Sequence, residues 1–328
     1  MSDLHTVDLV LSHFPNVTAR TINPLGGAGG FSGARFWKIQ SEDEQLCLRR
    51  WPQEHPSRTQ LQAIHDVLLR AVEQGFLQLP LPVRSRDGST IVYLAGHFWE
   101  LARWLPGVAD FHANPTSERL DAAMQTLARF HLSTRPANSP PSPAPGILSR
   151  GDHLRRLLAL DASDWSRDLT ALNWPEFQQR ATSILHFFDK HAQGIQMLLS
   201  TASKLRVRLQ PCIRDIWHDH VLFEANQVSG FVDFGAMRVD HVGCDIARLL
   251  GSLIGDTRDR WKRGLEAYQS VLPLSPDEMT LVDAFDRSTV LLSGMNWLHW
   301  VAVECRQFED GQRVLNRLDE ILLRLRHL

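Results

Sequence analysis

Apolar positions along the chain follow two regimes that change near Pro106. Residues 4 to 14 read as a short helix, and Gln45–Trp51, after the turn-like Ser41-Glu42-Asp43-Glu44, reads as a strand. Leu61, Ile64, Leu68 and Ala71 then keep the spacing of one apolar helical face, and Gly75 stands where a C-cap belongs. Residues 79–101 are punctuated by proline and strand-like, with a turn at Arg86–Ser89. Beyond Pro106 the pattern is helical. Leu120, Ala123, Leu127 and Phe130 form one face, with Asn114-Pro115 as a start signal. Residues 135–147 hold five prolines and predict a loop or extended spacer. Helical patterns fill 150–205, a β-rich stretch covers 207–235, and helices continue to Leu328. These patterns predict an α+β protein divided at 1–102 and 103–328: a small N-terminal antiparallel-sheet lobe and a larger, mostly helical one.

Bulk properties narrow the classes. The 328 residues exceed one typical domain, and 43% apolar with 22% charged residues is an ordinary globular balance. A formal charge of -2 argues against a nucleic-acid partner. Cys47, Cys212, Cys244 and Cys305 are far apart, so neither a zinc ribbon nor a disulfide framework is expected. No basic stretch followed by a long apolar run opens the chain, and no window suits a membrane span. A cytoplasmic protein without a membrane partner is expected.

Three segments carry candidate chemistry. Gly26, Gly27, Gly29, Gly30 and Gly33 lie between strand-like segments, where bare backbone N–H groups can approach phosphate or simply form a flexible hairpin. No Gly-Lys-Ser/Thr follows, and the next element is a strand, which excludes a Walker A loop and a Rossmann turn. On the following strand Arg49 shares a face with Cys47, where its cation either meets phosphate or faces solvent. The third segment, IRDIWHDHVLFEANQVSGFVDFG at 213–235, reads as a polar loop and a β-hairpin. Such a hairpin brings Asp215 and Asp233 to one cleft, as a base and a metal-bound carboxylate require.

This constellation resembles the aminoglycoside phosphotransferase family, which is related to choline and homoserine kinases and more distantly to protein kinases. The family signature is His-Gly-Asp, a short loop to Asn, a hairpin to Ile-Asp-Phe-Gly and a helix opening Asp-Leu-Ala. Here stand Ile213-Arg214-Asp215, His220 in the Asn place, Val232-Asp233-Phe234-Gly235 and Asp245-Ile246-Ala247. Leu48-Arg49, Phe98–Leu101 before Trp104-Leu105-Pro106-Gly107, and Leu127–His131 extend the likeness across roughly 20–255.

The resemblance implies a two-lobed protein-kinase-like fold and ATP-dependent phosphorylation of a small-molecule alcohol. Asp215 would be the base, Asp233 and His220 would face Mg²⁺ (or Mn²⁺), and Arg49 would hold the phosphates. Gly26, Gly27, Gly29 and Gly30 would cover the nucleotide, and the backbone of Trp99, Glu100 and Leu101 would receive adenine. Asp245 would buttress the catalytic loop. Two departures stand out. Residues 58–72 contain no Glu to anchor Arg49, leaving Gln62 or Asp66, and imidazole replaces a hard amide oxygen at position 220. Those departures support an alternative, a pseudokinase that binds nucleotide or scaffolds. A hydrolase built on His218-Asp219-His220 is a further reading, though it needs more ligands and repeated βα units. The acceptor and the oligomeric state are not specified by sequence.

Overall fold

The computed structural model describes residues 3–26, 33–54, 56–160, 165, 169, 171–308 and 310–328. Contacts divide the chain into two compact units: Met1–Arg135 with Asp215–Met237, and Pro136–Arg214 with Arg238–Leu328.

The first unit is built on a five-stranded antiparallel sheet. Its strands are β1 (Ala19–Gly26), β2 (Arg35–Ser41), β3 (Gln45–Arg50), β4 (Val92–Leu94) and β5 (His97–Arg103), in the order β1-β2-β3-β5-β4. Alternation along β3 and β5 decides the two faces. Leu46, Leu48, Trp99 and Leu101 pack on Val7, Val10, Leu11 and Phe14 of α1 (Asp3–Leu11) and the loop after it. Cys47, Arg49 and Glu100 point the other way.

Helix α2 (Arg58–Glu73) contributes Leu61, which packs with Trp51 and Ile91. Its start is a capping box of Ser57 and Gln60, an arrangement whose N-cap alone contributes ~1 kcal/mol. It ends as the sequence predicts. Gly75 takes φ +85°, its N–H donates to the Val72 carbonyl, and the Phe76 N–H donates to that of Ala71, a Schellman closure. Helix α3 (Ser117–Ser133), capped by Thr116, packs on the hairpin of β7 (Val221–Glu224) and β8 (Gln227–Phe231).

Between β5 and α3 the chain turns at Gly107, which has φ +92°. A Cβ there would lie 2.6 Å from the Phe223 carbonyl oxygen, so only glycine fits. The tight approach lets Ser229 Oγ donate to the Pro106 carbonyl at 2.6 Å and lets Val108 bridge Phe223, tying this connector to the hairpin.

The second unit is mostly helical: α4 (Pro145–Leu158), α5 (Pro175–Ala202), α6 (Gly243–Ile254), α7 (Arg258–Gln269), α8 (Pro276–Leu298) and α9 (Gly311–Leu325). Helix α8 touches α4, α5, α6 and α9, and its buried residues therefore surround it instead of forming one stripe. Helix α4 begins inside the proline-rich stretch, because Pro145 occupies the first turn where no N–H is needed. A two-stranded pair, β6 (Gln210–Cys212) with β9 (Arg238–Asp240), brackets the loop and hairpin of the first unit in the sequence. β6 lies inside the β-rich stretch read from sequence, whereas β9, three residues long and beyond that stretch, carries no readable period. Trp297 is buried.

Candidate active site

Within the first unit lies a cavity of about 280 Å³ whose walls include Phe36, Arg49, Trp51, His65, Glu100 and Asp233. Strand alternation puts Cys47 and Arg49 on its face together, as expected from sequence. Burial pushes the Cys47 thiol up to about 12, with Glu100 adding to the shift and Arg49 opposing it, which keeps the thiol protonated at neutral pH. The Arg49 guanidinium lies 3.3 Å from the Trp51 ring centroid and 5.0 Å from that of Phe36. One of its terminal nitrogens donates to Asp233 Oδ1 at 3.2 Å. Its Nε is buried without a hydrogen-bond partner.

Neither Gln62 nor Asp66 anchors Arg49. Gln62 donates to Asp66 at 2.9 Å on the solvent side of α2. The position that faces the cavity is His65, one turn after Leu61 on the same stripe. Its Nε2 lies 2.7 Å from Glu100 Oε2 and its Nδ1 2.7 Å from Thr90 Oγ1. With the Thr90 hydroxyl donating, Nε2–H is directed at the carboxylate. Burial alone would raise the Glu100 pKa, but the His65 hydrogen bond and the charge of Arg49 outweigh it and hold the carboxyl below its usual range. The acid expected on α2 thus stands on β5, opposite Arg49 in strand register. A histidine inside an otherwise apolar stripe was the available sequence signal.

The residues proposed to receive adenine need a correction. Trp99 and Leu101 face the core away from the cavity, and Trp99–Leu101 is paired with β3, so this backbone is not open to a ligand. Only the Glu100 side chain of the three lines the cavity. Chain just past the strand, at Trp104, Leu105 and Gly107, completes that wall. Gly26 closes β1 at φ +62°, while Gly27, Gly29 and Gly30 lie outside the described residues.

Asp233, after β8, takes φ +59°, a left-handed conformation that a non-glycine residue adopts at a cost. Burial would raise its pKa, but the Arg49 charge and hydrogen bond and the Gly235 N–H together lower it. Its side chain keeps 37% exposure, leaving the carboxylate accessible from one side.

In the loop before the hairpin, Asp215 is exposed and its carbonyl accepts from His220 Nδ1–H at 2.7 Å. The other nitrogen of His220 accepts from the Trp217 indole N–H at 2.9 Å and lies 3.9 Å from Asp233 Oδ2. Both ring nitrogens are therefore engaged, and Nε2 can ligate a metal only if the Trp217 bond opens. His218 lies 3.4 Å from Asp219 and packs edge-on against His112. Among the described residues, 218–220 form no convergent trio of ligand atoms.

In the second unit, the N–H groups of Ile213 and Arg214 donate to the two Asp245 oxygens at 2.7 and 2.6 Å. Asp245 is fully buried and fixes the backbone of the two residues that precede Asp215 in the chain.

These features define a protein of the kinase-like phosphotransferase class, and comparisons with known proteins agree. The model of the phosphotransferase enzyme family matches residues 25–280, so the chain belongs to that family. A homoserine kinase of Rhizobium etli (strain CIAT 652) is 24% identical over 271 residues, 81% of this chain and 77% of the relative. Another, of Acidiphilium cryptum (strain JF-5), is 28% identical over 232 residues, 66% of this chain and 62% of the relative. Among solved structures, a spectinomycin phosphotransferase in complex with ADP and spectinomycin superposes with TM-score 0.66 at 12% identity, covering 100% of this chain and 99% of that one. A microcompartment-associated aminopropanol kinase gives 0.64 at 16% identity, covering 99% and 97%. The fold is thus the two-lobed kinase-like one expected from sequence, and the enzyme is a small-molecule phosphotransferase.

Proposed function

We propose that the protein transfers the terminal phosphoryl group of ATP to a hydroxyl of a small molecule, with residues 1–102 as the nucleotide-binding lobe and 103–328 as the catalytic and acceptor lobe. The observation that carries this reading is the Arg49–Asp233 pair at 3.2 Å on the wall of a cavity whose apolar lining includes Phe36, Trp51 and Leu105. An apolar cavity suits a flat base, and a fixed guanidinium suits phosphate oxygens.

The donor set fits Mg²⁺. One accessible carboxylate, Asp233, offers hard oxygens, and this ion is typically held by one or two carboxylates together with phosphates and water. When bound, the ion supplies neutralisation of the phosphate charge. Asp233 would hold it, and Arg49 would exchange its carboxylate bond for a phosphate oxygen. Asp215 would orient the acceptor hydroxyl and take its proton. His220 would keep Asp215 in place through that residue's carbonyl, with Trp217 holding the imidazole. The name of the Rhizobium and Acidiphilium relatives suggests a hydroxylated amino acid such as homoserine as acceptor.

A melting-temperature titration with a non-hydrolysable ATP analogue, with and without Mg²⁺, tests the core of this proposal. Native-state binding raises the melting temperature by mass action, and Mg²⁺ should enlarge the rise in the wild type only, not in Asp233→Ala. No rise at any analogue concentration would sink it.

A further inference from the structure

The second unit has a cavity of its own, and nothing above uses it. It measures about 380 Å³, and its walls carry three arginines, Arg150, Arg156 and Arg214, besides hydroxyl and amide groups such as Thr289 and Asn296. No acidic residue lines it among the described residues. We propose that this cavity seats an anionic head group, a carboxylate or a phosphate ester, on the hydroxyl-bearing acceptor; this rests on the kinase reading above.

Guanidinium groups in one concave site repel each other and focus a positive field, which an incoming anion relieves. One of the three is already set in place. Arg150 donates to the Gly146 carbonyl at 3.2 Å and to Thr289 Oγ1 at 3.3 Å, and its guanidinium stacks 4.8 Å from the Phe285 ring centroid. Ordering it costs little on binding, because its rotamer is already fixed. Burial lowers its pKa, and the charges of Arg214 and Arg248 add to that against Asp240 and Cys244. Its charge is under-solvated.

Arg214 carries the second line of argument. It sits at φ +68°, in the left-handed region, at the position where the family pattern has glycine. A residue with a Cβ is strained there and glycine is not. A long basic side chain kept at that cost points to a use for the guanidinium. Its Nε lies 3.8 Å from Asp240 Oδ2. Asp240 is buried, and its other oxygen already accepts from the N–H groups of Gly146 and His241. That carboxylate aims Arg214, and one carboxylate against three guanidiniums leaves a positive surplus. Arg214 is followed in the chain by Asp215, the residue proposed to take the acceptor's hydroxyl proton. Polycationic acceptors would find no carboxylate in this cavity. Hydroxy acids, amino hydroxy acids and phosphorylated alcohols would find their counter-charge.

The test is direct binding, by titration calorimetry or ligand-observed NMR, with three matched pairs: hydroxybutyrate against butanediol, L-homoserine against aminopropanol, and glycerol phosphate against glycerol. At least one anionic member should bind roughly tenfold or more tighter than its uncharged or cationic match, the difference expected of a charge-assisted hydrogen bond. Which pair responds separates carboxylate from phosphate. Arg214→Gly, which relaxes the backbone, Arg214→Asn, which tolerates the same conformation, and the exposed Arg156→Ala should each shrink that preference, with the melting temperature unchanged or higher. Equal binding within every pair, no binding of any anion up to tens of millimolar, or folded variants that keep the full preference would overturn the assignment. Phosphotransfer to neutral alcohols without an anion preference would discard the subsite and keep the kinase reading. An anion preference without nucleotide binding would do the reverse.

Discussion

Arg49 on β3 donates to Asp233 after β8 at 3.2 Å, a bond across 184 positions of sequence. The side chain proposed to meet phosphate and the one proposed to hold the metal thus neutralise each other before a nucleotide enters. Arg49 is 8% exposed and the Asp233 side chain 37%, so a ligand gains access from the carboxylate side. Ordering of both groups is paid for before binding.

On the proposed function, that pairing would make Asp233 the pivot of nucleotide affinity. Asp233→Ala should remove the Mg²⁺-dependent part of nucleotide binding and release Arg49 toward phosphate, so that binding without metal is retained or improved. Calorimetric titration with and without Mg²⁺ measures both terms. An equal gain from Mg²⁺ in the variant would show that the ion is held elsewhere.

Asp215 is separable from that binding. Asp215→Asn keeps the shape of the loop and removes the proton acceptor, so kcat for phosphotransfer should fall by ~10²–10⁴-fold, as expected for a positioned base. Nucleotide affinity should hold within a factor of about two to three. An unchanged kcat would remove Asp215 from the chemistry.

His220 and Trp217 form the support of the same loop. Trp217→Phe deletes the N–H that occupies His220 Nε2 and keeps the ring contact, 5.5 Å between centroids. With His220 as a positioning residue, kcat should drop roughly tenfold, the effect of about one lost hydrogen bond, while the Mn²⁺/Mg²⁺ activity ratio stays constant. His220→Asn should leave that ratio unchanged as well. A ratio that moved toward Mg²⁺ in His220→Asn would restore the imidazole as a ligand.

On the wall of the first unit's cavity, Glu100→Gln replaces the charged partner of buried His65. Loss of that charge-assisted bond should destabilise the protein by about 1–3 kcal/mol. Urea unfolding at neutral pH reads this directly. A variant as stable as the wild type would mean that the pair contributes no net stability.

Acid should weaken the second unit through Glu278. The His241 bond and the Ser275 backbone and hydroxyl donors hold this carboxyl at about 2, burial opposing them. A depressed folded pKa adds stability that is complete above the ordinary carboxylate range and lost as pH falls from about 5 toward 2. Glu278 is partly exposed, and solvent screening limits the contribution to about 1–2 kcal/mol. Melting temperatures between those pH values should fall less steeply in Glu278→Gln than in the wild type. Parallel curves would assign the acid sensitivity to other carboxylates.

Much of this protein was legible in the order of its residues. Helix α2 with its glycine stop, α3, the hairpin ending at Asp233 and the shared face of Cys47 and Arg49 all follow from local period and turn chemistry, which neighbours along the chain decide. So does the family, because its motifs are short and keep their spacing. What the sequence left open involves partners distant along the chain. That Arg49 meets Asp233, that Glu100 on β5 takes the place of an acid expected on α2, and that His65 bridges to it depend on strand register and helix rotation, set by packing of the whole first unit. The turn to β5 explains the misplaced adenine contact: Trp99–Leu101 alternates as any strand does, and only the sheet order shows which edges are already bonded. His220 shows the same division. Its spacing from Asp215 marks the loop position, but the use of its two nitrogens was decided by Trp217 and a carbonyl, since an imidazole has one lone pair and the folded loop had already claimed it.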